Sequence, residues 1–371
     1  MRLLLLADTH IPTRARDLPG PVWDEVGRCD VVIHAGDWID VQLFDELCDR
    51  SQGLVACWGN NDGPVRRERL PERADAGANY DYRYAWIRDQ CYAGIAVAAD
   101  GPHELLDCAV RFVSERLLAD GPKTMPAYTG TGRTVPQQRK LDLRGYPGGY
   151  DLAGNHICGQ FQLDIFGEAL TLFAAAARHD RLTGEHRRAV DIAVAAIEEN
   201  VDKADAGIWE LGDKYWTHSR LACVAGLRAA ASMAMARDPA RLSTLADTIL
   251  AETSRRCLHS SGRWQRAAGD ERVDAALLLP PLRGALPGSD PRTVATYRAV
   301  AQDLSRDHFV YRYRPDQGLG STDSAFLLCG FVMAMAAQQQ GDTLEAYRYF
   351  ERNRAGCGTP GLFSEEYDIR Q

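Results

Sequence analysis

Two stretches of the sequence gather acidic, aromatic and glycine residues in the combination that cleavage of a sugar linkage requires. The first is Asp205-Ala206-Gly207-Ile208-Trp209-Glu210, followed closely by Tyr215-Trp216-Thr217-His218-Ser219. The second is Gly361-Leu362-Phe363-Ser364-Glu365-Glu366-Tyr367-Asp368. Glycosidic hydrolysis uses one protonated and one ionised carboxyl on opposite sides of the anomeric carbon, and Trp209 beside Glu210 would favour a protonated acid by excluding water. On residue types alone such strings are more often solvated turns than catalytic pairs. A third group, Asp8-Thr9-His10, Gly36-Asp37 and Gly59-Asn60-Asn61-Asp62, offers carboxylate, imidazole and amide ligands of the kind that divalent metals take.

The elements that must position these groups differ between the two ends of the chain. Up to about residue 75 the pattern alternates: apolar runs at Leu3–Leu6, Val31–His34 and Leu54–Trp58 read as strands, with helical Val22–Val26 and Gln42–Cys48 between them. That predicts a small parallel α/β unit whose strand ends bring the third group together. From residue 76 onward the pattern is helical. Periodic apolar stretches run over 90–99, 103–119, 156–178, 185–200, 216–236, 240–257, 271–282, 292–306, 323–340 and 342–354, separated by Gly/Pro/Asp-rich turns. Several, such as Ala225–Ala236 and Phe326–Ala337, are apolar on more than one face, as helices packed on both sides are. The domain reading is therefore 1–75, a partial α/β segment, and 76–371, a mainly α catalytic region.

Composition narrows the partners. The 371 residues are 45% hydrophobic and 25% charged, and 43 basic against 51 acidic residues give a net charge of -8. That balance disfavours nucleic acid and anionic membranes as partners. Ten cysteines without a CxxC pair form neither a zinc ribbon nor a disulfide framework, so a reducing, cytoplasmic setting is expected. The apolar start ends at Asp8, too early for a signal peptide, and no stretch is long enough to span a membrane.

In order along the chain, Asn79–Asp89, Gly145-Tyr146, Gly154-Asn155 with Gln160–Asp164, Gly207–Glu210, Thr217-His218-Ser219, Asp274–Leu279, Val310–Tyr313 and Ser364–Asp368 resemble glycoside hydrolase family 15, the glucoamylase and trehalase type. The resemblance implies an (α/α)6 toroid of six inner and six outer helices. Ten helices make that toroid incomplete, leaving apolar surface for the N-terminal segment or a second copy of the chain to cover. It further implies an inverting, exo-acting hydrolase of α-glucosides such as maltooligosaccharides or trehalose, working without a cofactor. Glu210 would be the general acid and Glu365 the general base, with Glu366 the alternative base because a one-residue shift exchanges them. Arg88 and Asp89 would hydrogen-bond the non-reducing glucose, Trp86 and Trp209 would face the sugar ring, and Tyr84 and His218 would stand around it. For His218, a satisfied structural role and direct contact are equally open.

The N-terminal strings resemble the calcineurin-like metallophosphoesterases. That resemblance implies Asp8, His10, Asp37 and Asn60 as ligands of manganese or another divalent metal, with Asp37 bridging two ions. The further histidines of that family have no match here, and His34 takes no ligand role. Two other readings therefore stand beside the glycosidase: a degenerate fusion chain without that activity, and a metal-dependent phosphodiesterase carried by residues 8–62.

Overall fold

The computed structural model describes residues 2–57, 80–141, 151–235, 238–314, 324–357 and 363–368. They fall into two compact units, one built on the N-terminal stretch up to Tyr80, the other on Asp81–Arg139, Ala153–Gly356 and the residues from Ser364. In the first, β1 (Leu3–Leu6), β2 (Val31–His34) and β3 (Leu54–Ala56) form a parallel sheet in that order, Leu3 opposite Val31 and Val32 opposite Leu54. Parallel neighbours need crossovers, which α1 (Gly20–Val26) and α2 (Val41–Arg50) supply. Asp40 starts α2 by accepting a hydrogen bond from the Gln42 amide. Trp23, Val26, Val32, Trp38 and Leu47 make the core of this unit, while Leu3 and Leu5 on β1 are exposed.

The second unit is helical, as the periodicity predicts. Its inner layer is α3 (Ile87–Ala98), α5 (Asp164–Ala177), α7 (Thr217–Ser232), a 3-10 turn at Ala275–Leu278 running into the short α9 (Leu279–Leu282), and α11 (Leu327–Gln339). Each of these packs on the next in that sequence. The outer layer is α4 (Glu104–Asp120), α6 (Gly184–Asn200), α8 (Pro239–Cys257), α10 (Pro291–Leu304) and α12 (Thr343–Arg354). Among the described residues the chain thus runs inner, outer, inner, outer, as α/α hairpins laid side by side. The layers differ in sequence for a physical reason: α5 and α7 are buried nearly throughout, whereas α8 and α10 bury one stripe.

Helix starts divide the same way. Every outer helix is capped by a side chain: His103, Thr183, Asp238, Asp290 and Asp342 each accept a backbone N–H. The inner α3, α5, α7 and α11 start at Trp86, Leu163, Trp216 and Phe326, with no side-chain cap. Their first N–H groups and the positive ends of their dipoles are left for other partners.

At the centre of the inner layer α5 and α7 touch through backbone. A Cβ on Gly167 would stand 2.4 Å from the Ala222 carbonyl oxygen, and one on Gly226 would stand 2.3 Å from that of Gly167. Only glycine fits on both sides of this crossing. Two helices predicted as continuous are broken. The stretch 156–178 splits into a 3-10 turn at His156–Gly159, capped by Asn155, and α5 beyond it. The stretch 271–282 becomes the Asp274-capped turn and α9, because Pro280 and Pro281 have no N–H to continue a helical ladder. Among the described residues no helix is long and apolar enough to cross a membrane.

Candidate active site

A cavity of about 390 Å³ opens in the second unit, lined by Tyr82, Trp86, Arg88, Asp89, Trp209, Glu210, Arg312 and Glu365 among others. Three pieces of chain build it. The strand β4 (Tyr84–Trp86) pairs antiparallel with β5 (Ala127–Thr129) and leads directly into α3, so Trp86, Arg88 and Asp89 arrive together. The strand β6 (Ser324–Phe326) leads likewise into α11 and pairs with β7 (Glu366–Asp368); the Leu327 amide donates to the Glu365 carbonyl at 3.1 Å and fixes that residue at the rim. The third piece is the turn Gly207–Glu210, anchored where the Ala206 amide donates to the Phe161 carbonyl at 2.9 Å. Gly207 and Glu210 both have positive φ, 69° and 56°. For glutamate this conformation is strained, and its surroundings must hold it.

One of those constraints is Trp86, whose indole N–H donates to Oε1 of Glu210 at 2.8 Å. The other carboxylate oxygen, Oε2, lies 3.6 Å from Nε2 of His156. Across the cavity, removal from water pushes the Glu365 carboxyl up; Arg312 opposes this, while Glu366, Asp89 and Glu210 add to it as like charges. Asp89 opens to the cavity with protein around the rest of it, and that desolvation raises its carboxyl against the pull of Arg88. Arg312 is ion-paired with Glu366.

Beneath the cavity the polar groups are locked. Arg88 is buried and donates to Asp164 at 2.7 Å, Gln162 at 2.8 Å and the Ile208 carbonyl at 3.1 Å, tying the α3 start to the α5 start and to the Glu210 turn. The carboxylate of Asp205 is fully buried against Arg220 and accepts from Ser219 at 2.8 Å and from the Gly207 amide at 2.9 Å. Burial pushes Asp205 up, with Arg220 pulling against it. Trp209 donates its indole N–H to Asp274 at 2.8 Å and meets Phe326 edge-on. Rigid support of this kind is what an oriented site needs.

The residues singled out in the sequence divide accordingly. Trp86, Arg88, Asp89, Trp209, Glu210 and Glu365 line one cavity, and Tyr84, His218 and Glu366 do not. Tyr84 donates to Asp81 at 2.7 Å and is spent on holding the chain before β4. Glu366 is engaged by Arg312. His218 lies off this cavity: it is buried, neither ring nitrogen has a hydrogen-bond partner among the described residues, and burial pushes it down to about 4. The tryptophan that touches Glu210 is Trp86 rather than its neighbour Trp209. Sequence reasoning did not single out Tyr82, Arg312, Asp164 or His156 as site residues. The first three lie inside strings already noted, where a count of polar residues next to the acidic ones would have found them; His156 has no such signal.

In the N-terminal unit Asp8, His10 and Asp37 offer ligand atoms all within 4.8 Å of one another. All three have positive φ, 52°, 48° and 61°. Aspartate and histidine enter this left-handed region more readily than most residues. His34 buttresses it from behind, stacked on Trp38 and taking the Gly36 N–H on Nδ1 at 3.3 Å, so its Nε2–H faces Thr9 at 3.1 Å. Asn60 lies outside the described residues.

Residues 53–368 match the model of glycosyl hydrolases family 15, and residues 1–95 match that of the calcineurin-like phosphoesterase superfamily domain. The chain is 30% identical over 320 residues to a trehalase of Mycobacterium tuberculosis, covering 81% of this chain and 46% of that protein. It is 27% identical over 316 residues to a trehalase of Mycolicibacterium smegmatis, covering 81% and 47%. The chain thus spans about half the length of these relatives. A solved wild-type glycosidase superposes with a TM-score of 0.62 at 21% identity, over 77% of this chain and 78% of that one, which is a likeness of fold.

Proposed function

Because this chain belongs to glycosyl hydrolase family 15, we propose that it hydrolyses an α-glucosidic bond, with trehalose the first substrate to try, Glu210 acting as general acid and Glu365 as general base. The observation that carries this reading is the single cavity lined by both carboxylates, together with Arg88 and Asp89. A glucosyl unit entering it lies between the faces of Trp86 and Trp209, with Asp89 offered to its hydroxyls. Glu210 protonates the glycosidic oxygen as the bond breaks. Glu365 takes a proton from water, which attacks the anomeric carbon from the opposite face. Attack from that side inverts the configuration, so an α-linked glucose leaves as the β-anomer. The engagement of Glu366 by Arg312 supports Glu365 as the base. Relatives named as trehalases support trehalose over longer glucans. Proton NMR of a fresh reaction is expected to show β-glucose appearing before mutarotation. A folded protein that releases no glucose from trehalose, maltose or maltooligosaccharides would sink the proposal.

For the N-terminal unit we propose that Asp8, His10 and Asp37 bind a divalent cation. Two carboxylates and an imidazole within 4.8 Å suit manganese and similar ions. Titration with Mn²⁺, followed by loss of the free-ion EPR signal, is expected to reveal a site that Asp37→Asn abolishes. Equal signal loss with and without that substitution would dispose of it.

A further inference from the structure

We infer that the turn carrying Glu210 rests on one built-in water molecule, held in a closed site between that turn and the start of α7. The site stands on its own geometry; only its effect on turnover rests on Glu210 being the general acid. A void of about 10 Å³ lies there, lined on one side by the Ala206–Leu211 turn, Glu210 itself excepted, and on the other by Trp216, His218, Arg266 and Asp274. It is thus behind the acid, away from the sugar cavity. Trp216, His218 and Arg266 are each 5% exposed or less. Nε1 of Trp216, both ring nitrogens of His218, and Nε and Nη2 of Arg266 have no hydrogen-bond partner among the described residues. An unsatisfied buried polar group is costly, and three such side chains around one void point to a partner they share.

Size and chemistry together identify that partner. The void has room for about one water-sized sphere, too little for a sugar, a sulfate or a hydrated ion. Trp216 and Arg266 can only donate, which refuses a cation. Asp274 brings a carboxylate, and the His218 ring, kept neutral by burial, brings a lone pair, which refuses an anion. Two donors and two acceptors around one point are the complement of water. It accepts from the Trp216 indole N–H and from an Arg266 N–H, and donates to a ring nitrogen of His218 and to Oδ2 of Asp274. Oδ1 of Asp274 is already taken by the Trp209 indole and the Ala276 amide, at 2.8 and 2.9 Å. The frame around the site is stiff. The Thr217 amide donates to the Arg266 carbonyl at 3.2 Å, and the guanidinium lies over the Tyr313 ring at 4.0 Å. A Cβ on Gly207 would stand 3.0 Å from Nε1 of Trp216, so glycine there lets the indole edge reach the underside of the turn. Trp86 and Arg88 hold the turn from the cavity side, and the water holds it from behind. Trp216, His218 and Arg266 are positioning residues, which act on Glu210 through this water.

The first test is a high-resolution crystal structure of the whole chain. One spherical density peak is expected in the void, within hydrogen-bond reach of Nε1 of Trp216 and of Arg266. A dry void, or bromide found there in the anomalous map of a soaked crystal, overturns the inference. The second is a double-mutant cycle read by urea unfolding. Trp216→Phe and His218→Leu are each expected to lower the folding equilibrium constant roughly tenfold. Together they are expected to cost far less than about a hundredfold, because both lose the same water. Strictly additive losses overturn a shared ligand. The third is kinetic: Trp216→Phe is expected to lower kcat on trehalose several-fold with KM unchanged, since the turn aims the acid and not the sugar. A KM effect with kcat unmoved overturns the holding role. The parent reading fails separately, by a folded wild type that releases no glucose, and the crystal and unfolding tests then still decide the site.

Discussion

Glu210→Gln is expected to lower glucose release from trehalose by about 10²–10⁴-fold while leaving the fold intact. The substitution is close to isosteric and keeps an amide oxygen for the Trp86 indole N–H, which lies 2.8 Å from Oε1, so the strained turn at φ 56° retains its anchor. What disappears is the proton for the leaving oxygen. The deficit should therefore depend on the leaving group: large for a sugar alkoxide, and much smaller for an activated aryl α-glucoside or glucosyl fluoride, whose departure needs no protonation. Parallel kcat measurements on the two substrate types check this. An equal loss on both would mean that Glu210 supports the site mechanically rather than by proton donation. In the wild type the acid limb of the same reaction should lie above the ordinary carboxylate range. Glu365 must be ionised to act as base, and desolvation pushes its carboxyl up, so activity is lost early as pH falls.

Asp164→Ala is expected to destabilise the protein by about 3–5 kcal/mol, measured by urea unfolding. Asp164 is fully buried and Arg88 nearly so, and the pair stands at 2.7 Å. Removing the carboxylate leaves a largely buried guanidinium whose remaining hydrogen-bond partners, Gln162 and the Ile208 carbonyl, are neutral, with only the more distant charge of Asp89 to offset it. The cost is that of a stranded charge, not of one missing hydrogen bond. Because the same arginine ties α3 and α5 to the Glu210 turn, kcat should fall as well. A change under about 1 kcal/mol would show that the pair is reached by water and carries little.

Most of the fold is legible in the sequence because burial differs so strongly between layers. The one-sided stripes of α8 and α10, and the all-round apolar α5 and α11, place nearly every helix within a few residues of its observed ends. The strands of the second unit are invisible for the opposite reason. Tyr84–Trp86 and Ser324–Phe326 are three residues each, too short to show alternation, and Glu366–Asp368 lies some forty residues from its partner. In the site, Glu210 and Glu365 stood out through ordered motif strings, not through any periodicity of their own. Nothing local marks Asp164 as the partner of Arg88 across 76 positions, and nothing marks His156, because an exposed histidine beside a glycine and an asparagine looks like a turn. Contacts of that range come from the folding of α3 against α5, which residue types alone do not encode.

The bare contact between Gly167 and Gly226 also sets how this protein can yield. Packing through side chains has compliance, because rotamers hop and a methyl group gives by a few tenths of an ångström. Main chain on main chain has almost none. The helices α5 and α7 are thus pinned to each other at the first turn of α5 and the middle of α7, close to the start that bears Asp164. The turn that presents Glu210 is tied to the same floor through Arg88 and Asp205, so accommodation of a substrate falls on the short β6–β7 pair that presents Glu365. The stiffness of the floor assigns the motion to the rim that carries Glu365.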